Sequence, residues 1–301
     1  MRLDLALIRL HPELSRRKAR EAIEKGQVDV DGRTVVEPGQ AVQEAASIRW
    51  DVHRKARSRA RSSLPLLYQD EWLLVVDKPA GLLSVPATPG GAEDTVLARV
   101  QAYARHLHPG RPYAAAVHRL DRDTSGALAF ALKPEARRAL RDLFREHHIE
   151  RHYLALVEGI PRQEKGAVDA PLFEAYEGGR RRVARKGEPA REARTRWSVR
   201  ERFAEAALLD VELGTGRQHQ IRVHLAHIAL PVLGDAVYRD RRATRVAVAA
   251  PRQMLHARRL AFRHPFTGVD VAVESPLPDD FRDVLADLRR GVPRRSPARS
   301  R

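Results

Sequence analysis

A basic tract near the start of the chain cannot belong to a hydrophobic core. Residues 53–63 (HRKARSRARSS) contain five Lys or Arg, no acidic residue and no apolar residue larger than Ala. Such a segment repels itself, so it is typical of a flexible linker, and it can also lie along phosphates. Two domains also suit a chain of 301 residues, because single cores stop growing at about 250 to 300 residues. We therefore expect a small domain over residues 1–52, a linker over 53–63, a large domain over 64–290 and a disordered basic tail over 291–301.

The small domain has the pattern of two helices followed by strands. Apolar residues between Leu3 and Leu10 form one helix face, and Ser15 can cap a second helix. Polar and apolar residues then alternate on both sides of Asp31-Gly32, which predicts a hairpin. The second helix gives this α+β unit a positive edge formed by Arg16, Arg17, Lys18 and Arg20.

The large domain is predicted to be α+β, with a mixed, largely antiparallel central sheet and a cleft. Predicted strands outnumber predicted helices and do not alternate regularly with them, which argues against a doubly wound sheet. The Gly- and Arg-rich residues 177–200 predict a long basic loop or hairpin. We expect strands at 73–76, 127–131, 153–157, 207–213, 220–224 and 269–273, and helices at 95–106, 134–147 and 279–290.

The net charge narrows the class of partner. The chain has 55 Lys and Arg against 39 Asp and Glu, a formal net charge of +16. Each Lys or Arg placed on a phosphate releases counterions and so favours binding to a polyanion. Nucleic acid is therefore the first candidate partner, although a genome that prefers Arg codons would also give a basic composition.

Several function classes are excluded by what the sequence lacks. The chain has no Cys, which excludes disulfides, thiolate catalysis and thiolate metal sites. Asp4 and Arg9 interrupt the apolar region that a signal peptide would need. No apolar run approaches the roughly 20 residues of a membrane span. We therefore expect a soluble, cytoplasmic protein that does not contact a membrane.

A polar loop between two apolar segments is the strongest candidate for a functional site. Residues 116–126 (AVHRLDRDTSG) precede the predicted strand at 127–131, so core residues hold the loop at both ends. Loops held in this way tend to carry sites. Asp121 is a candidate base, nucleophile or cation ligand, and only Asp123 lies near it as a second carboxylate, which supports a metal site weakly. The alternative is that either aspartate caps a turn.

The same residues resemble a known family. The segment His118-Arg119-Leu120-Asp121 with Thr124-Ser125-Gly126 is similar to the signature of the RluA-like pseudouridine synthases. Residues 1–50 resemble the RNA-binding domain named after ribosomal protein S-four, with Arg2-x-Asp4, Ser15-Arg16 and a Gly-x-Val-x-Val-x-Gly segment from Gly26. This resemblance implies RNA contacts from the basic residues of the second helix, Arg16, Arg17, Lys18 and Arg20. The alternative is a solvated basic face without a partner. Further motifs follow in the order of the synthase family, at residues 76–82, 151–159, 216–225 and 255–262, and they span about residues 70 to 265.

The resemblance implies roles for three residues. Asp121 corresponds to the essential aspartate of the family, Tyr153 to its active-site tyrosine, and Arg222 to the basic residue that pairs with the aspartate. Two routes stay open: attack of Asp121 on the anomeric carbon of the ribose, or removal of the proton from ribose carbon 2 to give a glycal. From the residues alone, Tyr153 can instead be a core aromatic and Arg222 a phosphate contact. Further candidate RNA contacts are Arg119, Arg122, Arg180, Arg181, Arg182, Arg217 and His219.

The activity implied by the resemblance is isomerisation of uridine to pseudouridine in RNA, without cofactor or metal. Large-subunit ribosomal RNA is the favoured substrate and transfer RNA the lesser one, and we expect a monomer. The sequence departs from the family pattern at Leu132-Lys133, Gln218 and Arg239, which leaves the subfamily and the target uridine open. Two alternatives remain: an RNA-binding assembly or translation factor that has lost catalysis, and a nucleoside or glycoside hydrolase.

Overall fold

The chain forms two compact units, Met1–Ser63 and Leu64–Arg301. The computed structural model describes residues 1–24, 26–35, 38–43, 45–52, 64–88, 91, 93–108, 110–177, 180–239 and 246–291. The predicted linker at 53–63 and residues 292–301 of the predicted tail lie outside the described residues. No described helix has both the length and the apolar character needed to cross a bilayer.

Two helices and a three-stranded antiparallel sheet make up the N-terminal unit. Leu3 and Leu7, one helical turn apart, are fully buried, as are Ala19 and Ile23 on the second helix. Asp31 has a positive φ, as a tight hairpin turn requires. The strand order is β2-β1-β3. The elements are α1 (Leu3–Leu10), α2 (Arg16–Glu24), β1 (Val28–Val30), β2 (Arg33–Val35) and β3 (Ile48–Trp50).

In its described residues, the second unit has one large sheet and four helices. Its helices are α3 (Val96–Leu107), α4 (Pro134–Arg145), α5 (Gln220–His227) and α6 (Asp279–Arg290). Its strands are β4 (Leu66–Gln69), β5 (Leu73–Lys78), β6 (Ala115–Ala116), β7 (Ser125–Ala131), β8 (Ile149–Glu158), β9 (Lys165–Asp169), β10 (Leu172–Phe173), β11 (Ala190–Arg191), β12 (Arg194–Arg202), β13 (Ala206–Leu213), β14 (Leu255–Arg263) and β15 (Asp270–Glu274).

The sheet is mixed and mostly antiparallel, as predicted. Its main path is β4-β5-β7-β14-β8-β13-β12-β9. Among the strand pairs of the described residues, β7 and β14 run parallel and the others antiparallel. Gly126, at the start of β7, has a φ of 118°, and a Cβ there would lie 2.2 Å from the carbonyl oxygen of Ala257. Glycine therefore lets β7 approach β14 where the signature loop enters the sheet.

One predicted element was wrong, and some strands were not predicted. Residues 220–224 were expected to form a strand, but they begin helix α5. The apolar residues of this segment alternate with polar ones, as in a strand. Because α5 is buried on nearly all sides, it has no polar face from which a helical period could be recognised. Strand β14 was not predicted, since Arg and His residues interrupt its apolar pattern. Residues 177–200, predicted as a long basic loop or hairpin, include most of strand β12.

Candidate active site

A cavity of about 380 Å³ opens beside the signature loop. Its walls come from the loop that precedes β7, the end of α4, strand β8, the turn at 214–219 and helix α5. These elements are distant in sequence and meet because β7, β14 and β8 are neighbours in the sheet. Asp121, Tyr153 and Arg222 all line this cavity.

An ion network holds Asp121 in place. The Nη1 atom of Arg222 donates to Oδ2 of Asp121 at 2.9 Å. The same guanidinium donates to both carboxylate oxygens of Asp235, from Nε at 2.6 Å and from Nη2 at 2.9 Å. Side-chain exposure is 6% for Arg222 and 0% for Asp235, but 18% for Asp121. Asp121 is thus the carboxylate of the network that the cavity reaches.

The pKa values within this network follow from burial and pairing. Burial disfavours the charge of Arg222, but its hydrogen bonds to Asp235 and the charges of Asp235 and Asp121 raise its pKa above the ordinary value. Burial likewise acts to raise the pKa of Asp235, and the hydrogen bonds that Arg222 donates outweigh it and lower that pKa. Both groups stay ionised, so Arg222 presents a permanent positive charge to Asp121.

Buried side chains fix the backbone of the signature loop. Lys78 is fully buried, and its Nζ donates to three carbonyl oxygens at 2.8 Å, those of Pro79, Arg122 and Thr124. Burial lowers the pKa of Lys78 to about 7, against the opposing charge of Asp123. Arg252 and Ser84 bind two further carbonyl oxygens of the loop, those of Asp123 at 2.9 Å and Leu120 at 2.7 Å. The loop that carries Asp121 is therefore held from several directions.

Tyr153 lies on β8 and forms part of the cavity wall. The side chain is 7% exposed, and the residue pairs with Val211 on one side and Ala257 on the other. Burial raises the pKa of Tyr153 to about 12. The phenol is therefore neutral at physiological pH and keeps its proton.

His219 faces Asp121 from the turn before α5. It has a φ of 59°, uncommon for a residue with a side chain. Its Nε2 lies 3.8 Å from Oδ1 of Asp121, and its Nδ1 lies 2.7 Å from the hydroxyl of Tyr238. That hydroxyl accepts from the backbone N–H of Arg181 at 3.0 Å. Tyr238 therefore holds the His219 ring through Nδ1, with Nε2 on the side of Asp121.

The other predicted RNA contacts lie in three places. Arg119, Arg217 and His219 line the same cavity as Asp121. Arg122 and Arg180 are exposed. Arg181 donates to the carbonyl oxygens of Phe173 and Glu174. Arg182 is paired with Glu177 and Glu188. Arg16, Arg17, Lys18 and Arg20 are exposed on α2 of the N-terminal unit.

Sequence reasoning missed three residues of the site: Lys78, Asp235 and Arg252. Lys78 lies two residues after the predicted buried strand at 73–76. A charged residue so close to a buried strand was a signal by which it could have been found. Asp235 belongs to the segment Asp235-Ala236-Val237-Tyr238, but nothing in that spacing shows that it binds Arg222. Within the residues that the structure describes, no three His, Asp or Glu side chains are grouped so as to hold a metal ion.

Comparison with known proteins identifies the family. Residues 72–227 match the RNA pseudouridylate synthase family, and residues 1–48 match the S4 domain. The chain belongs to the RNA pseudouridylate synthase family. The RluA-like resemblance and the S4-type N-terminal domain are thereby confirmed. The enzyme is an isomerase that converts uridine to pseudouridine in RNA.

Relatives match along nearly the whole chain. A protein of Nitrosomonas europaea named ribosomal large subunit pseudouridine synthase D is 38% identical over 96% of this chain and 85% of its own length. A protein of the same name from Pseudomonas aeruginosa is 37% identical over 96% of this chain and 92% of its own length. The solved structure of human RNA pseudouridylate synthase domain containing 4 has a TM-score of 0.62 at 26% identity, covering 74% of this chain and 92% of that chain. The predicted α+β fold with a mixed sheet is also confirmed.

Proposed function

We propose that this enzyme isomerises specific uridines of large-subunit ribosomal RNA, and that Asp121 carries out the chemistry at the ribose. The catalytic part of this proposal rests on the hydrogen bonding and the exposure of Asp121. Its Oδ2 is held by Arg222 at 2.9 Å, and its side chain keeps 18% exposure to the cavity. A carboxylate that is oriented by a buried guanidinium and open to a cavity suits attack on a sugar carbon or removal of a sugar proton.

The reaction needs no redox step. The bond between uracil nitrogen 1 and the ribose anomeric carbon breaks, the base turns, and carbon 5 bonds to the same anomeric carbon as it loses a proton. Asp121 either bonds to the anomeric carbon until carbon 5 displaces it, or takes the proton of ribose carbon 2 and returns it. Tyr153 offers its ring to the base and its neutral phenol as a relay for the carbon 5 proton. Arg222 is the positioning partner of Asp121.

Two relatives support the choice of ribosomal RNA, because both are named ribosomal large subunit pseudouridine synthase D. The S4-type domain and the net charge of +16 supply contacts to phosphates, which offset the few kcal/mol needed to extrude a stacked uridine. Transfer RNA is the lesser candidate. We further propose that the enzyme acts as a monomer in the cytoplasm.

Tritium release tests the substrate. Unmodified transcripts of large-subunit ribosomal RNA, small-subunit ribosomal RNA and transfer RNA, labelled with tritium at uridine carbon 5, would be incubated separately with the enzyme. The proposal predicts release from the large-subunit transcript, with an end point of a few tritium atoms per molecule. Release from transfer RNA alone would contradict the choice of substrate, and no release from any RNA would contradict the activity.

A further inference from the structure

Arg151 is a buried arginine that the proposed chemistry does not use. It lies on β8 two residues before Tyr153, so both side chains point to the same face of the sheet. The residue is 6% exposed and lines the cavity that contains Asp121. Its position places a full positive charge in the wall of the active site.

The guanidinium of Arg151 has few partners: its Cζ lies 5.7 Å from the centre of the Phe144 ring, a long cation–π contact. Nη2 donates to the carbonyl oxygen of Leu213 at 3.2 Å, and Nε is buried with no hydrogen-bond partner. Across the described ranges of the chain, no carboxylate oxygen lies within 4.0 Å of this guanidinium. A buried charge without a counter-charge is costly, and sites that keep one commonly bind an anion.

The surroundings favour a polyanionic ligand. Burial and the charges of Arg151, Arg217 and Arg194 together lower the pKa of His147, a residue of the cavity rim. Of these arginines, Arg151 and Arg217 both line the cavity. Gly216 leaves room for the guanidinium, because a Cβ there would lie 2.6 Å from Nη1 of Arg151.

We propose that Arg151 binds a phosphate oxygen of the nucleotide that enters the cavity, next to the base that packs on Tyr153. The proposal rests on the proposed function, since the ligand is the RNA substrate. A carbonyl oxygen of uracil is the other acceptor that an arginine here can meet, but a neutral oxygen leaves the buried charge uncompensated. Phosphate accepts two parallel N–H bonds from a guanidinium and neutralises it.

Two variants and one control test the residue. Arg151→Met removes the charge at similar side-chain length, Arg151→Lys keeps the charge without the planar fork, and Arg138→Met removes an exposed arginine of α4. We expect KM to rise about 10- to 100-fold in Arg151→Met and less in Arg151→Lys, because the variant lacks a charged hydrogen bond to substrate. Arg138→Met should match the wild type. The melting temperature of Arg151→Met should equal or exceed that of the wild type, since an unpaired buried charge is removed.

A modified substrate identifies the ligand atom. Short RNA substrates would carry a neutral methylphosphonate at the phosphate on either the 5′ or the 3′ side of the target uridine. The proposal predicts that one of these changes raises KM for the wild type and has no added effect in Arg151→Met. If the methylphosphonates raised KM equally in the wild type and in Arg151→Met, the proposal would be overturned. A KM of Arg151→Met within twofold of the wild-type value would also overturn it, as would a melting temperature of this variant that falls together with its activity. An inactive wild type would overturn the proposed function itself, which separates the two failures.

Discussion

The arginines of helix α2 and Arg222 carry the same charge in opposite surroundings. Arg16, Arg17 and Arg20 are exposed on the N-terminal unit, and Arg16 approaches Asp4 only at 3.7 Å. Arg222 is 6% exposed and bonded to two aspartates. Exposed charges act through water and salt, so they contribute affinity that many positions can supply. A buried, fully bonded charge fixes the geometry of its partner, so it is expected to be irreplaceable.

The largest expected effect on the reaction rate comes from a substitution of Asp121, the partly exposed member of the ion network. Asp121→Asn keeps the size of the side chain but removes the negative charge, so it can neither bond to the anomeric carbon nor take a proton. We expect the rate of tritium release at saturating enzyme to fall about 10⁴-fold or more. RNA affinity, measured by filter binding, should stay within about twofold. Residual activity within tenfold of wild type would refute the role of Asp121.

The fully buried end of the network should affect stability as well. Asp235→Asn removes the fully buried counter-charge of Arg222 and leaves only the partly exposed Asp121 beside it. Breaking a buried pair costs about 3 to 5 kcal/mol of unfolding free energy. Urea denaturation would measure this. Asp279→Asn is the matched control, because Asp279 pairs with Arg282 at the surface and is 86% exposed. Equal losses of unfolding free energy in the two variants would show that burial of the ion pair does not determine its contribution to stability.

Buried histidines give a pH dependence that surface charge does not predict. Burial lowers the pKa of His118 from 6.5 to about 3, and burial also lowers the pKa values of His224 and His256. Between pH 6.5 and 3 the unfolded chain binds protons that the folded chain does not, so unfolding free energy must fall as the pH decreases in this range. Urea denaturation at about pH 7 and about pH 5 checks the sign. Greater stability at the lower pH would contradict it.

The basic face of α2 should contribute affinity without chemistry. A variant with Arg16, Arg17, Lys18 and Arg20 all replaced by Gln removes four positive charges from the N-terminal unit. We expect the slope of log affinity against log salt to become shallower by about 0.7 for each phosphate that the variant no longer binds. Turnover at saturating enzyme should not change. An unchanged salt slope would remove α2 from the RNA interface, and a loss of turnover would show that the two regions do not divide their roles in this way.

The smallest effect on RNA affinity is expected at Arg182, which is only partly exposed and is already neutralised. It is paired with Glu177 and Glu188. Arg182→Gln should change RNA affinity by less than about twofold, because paired surface charges contribute little net energy. Arg180→Gln, at an exposed neighbour, gives the comparison. A larger loss of affinity at Arg182 than at Arg180 would show that RNA displaces the glutamates.

The sequence allowed the fold class and the three central residues to be predicted, because the motifs are local and ordered along the chain. The pairing of Arg222 with Asp121 was expected from the family resemblance, but the helix that carries Arg222 was not. Burial on nearly all sides removes the polar face by which a helix is recognised. Asp235 and Arg252 were missed because their partners lie far away in sequence, where no spacing rule reaches.

The most direct test of the account is the composition of the RNA after reaction. Large-subunit transcripts would be incubated with the enzyme, digested to nucleosides and analysed by mass spectrometry, with free bases measured in the supernatant. The account predicts that each uridine consumed appears as one pseudouridine, with no free uracil. Released uracil would indicate a hydrolase, and bound but unchanged RNA would indicate a binding protein; either result would contradict isomerisation at Asp121.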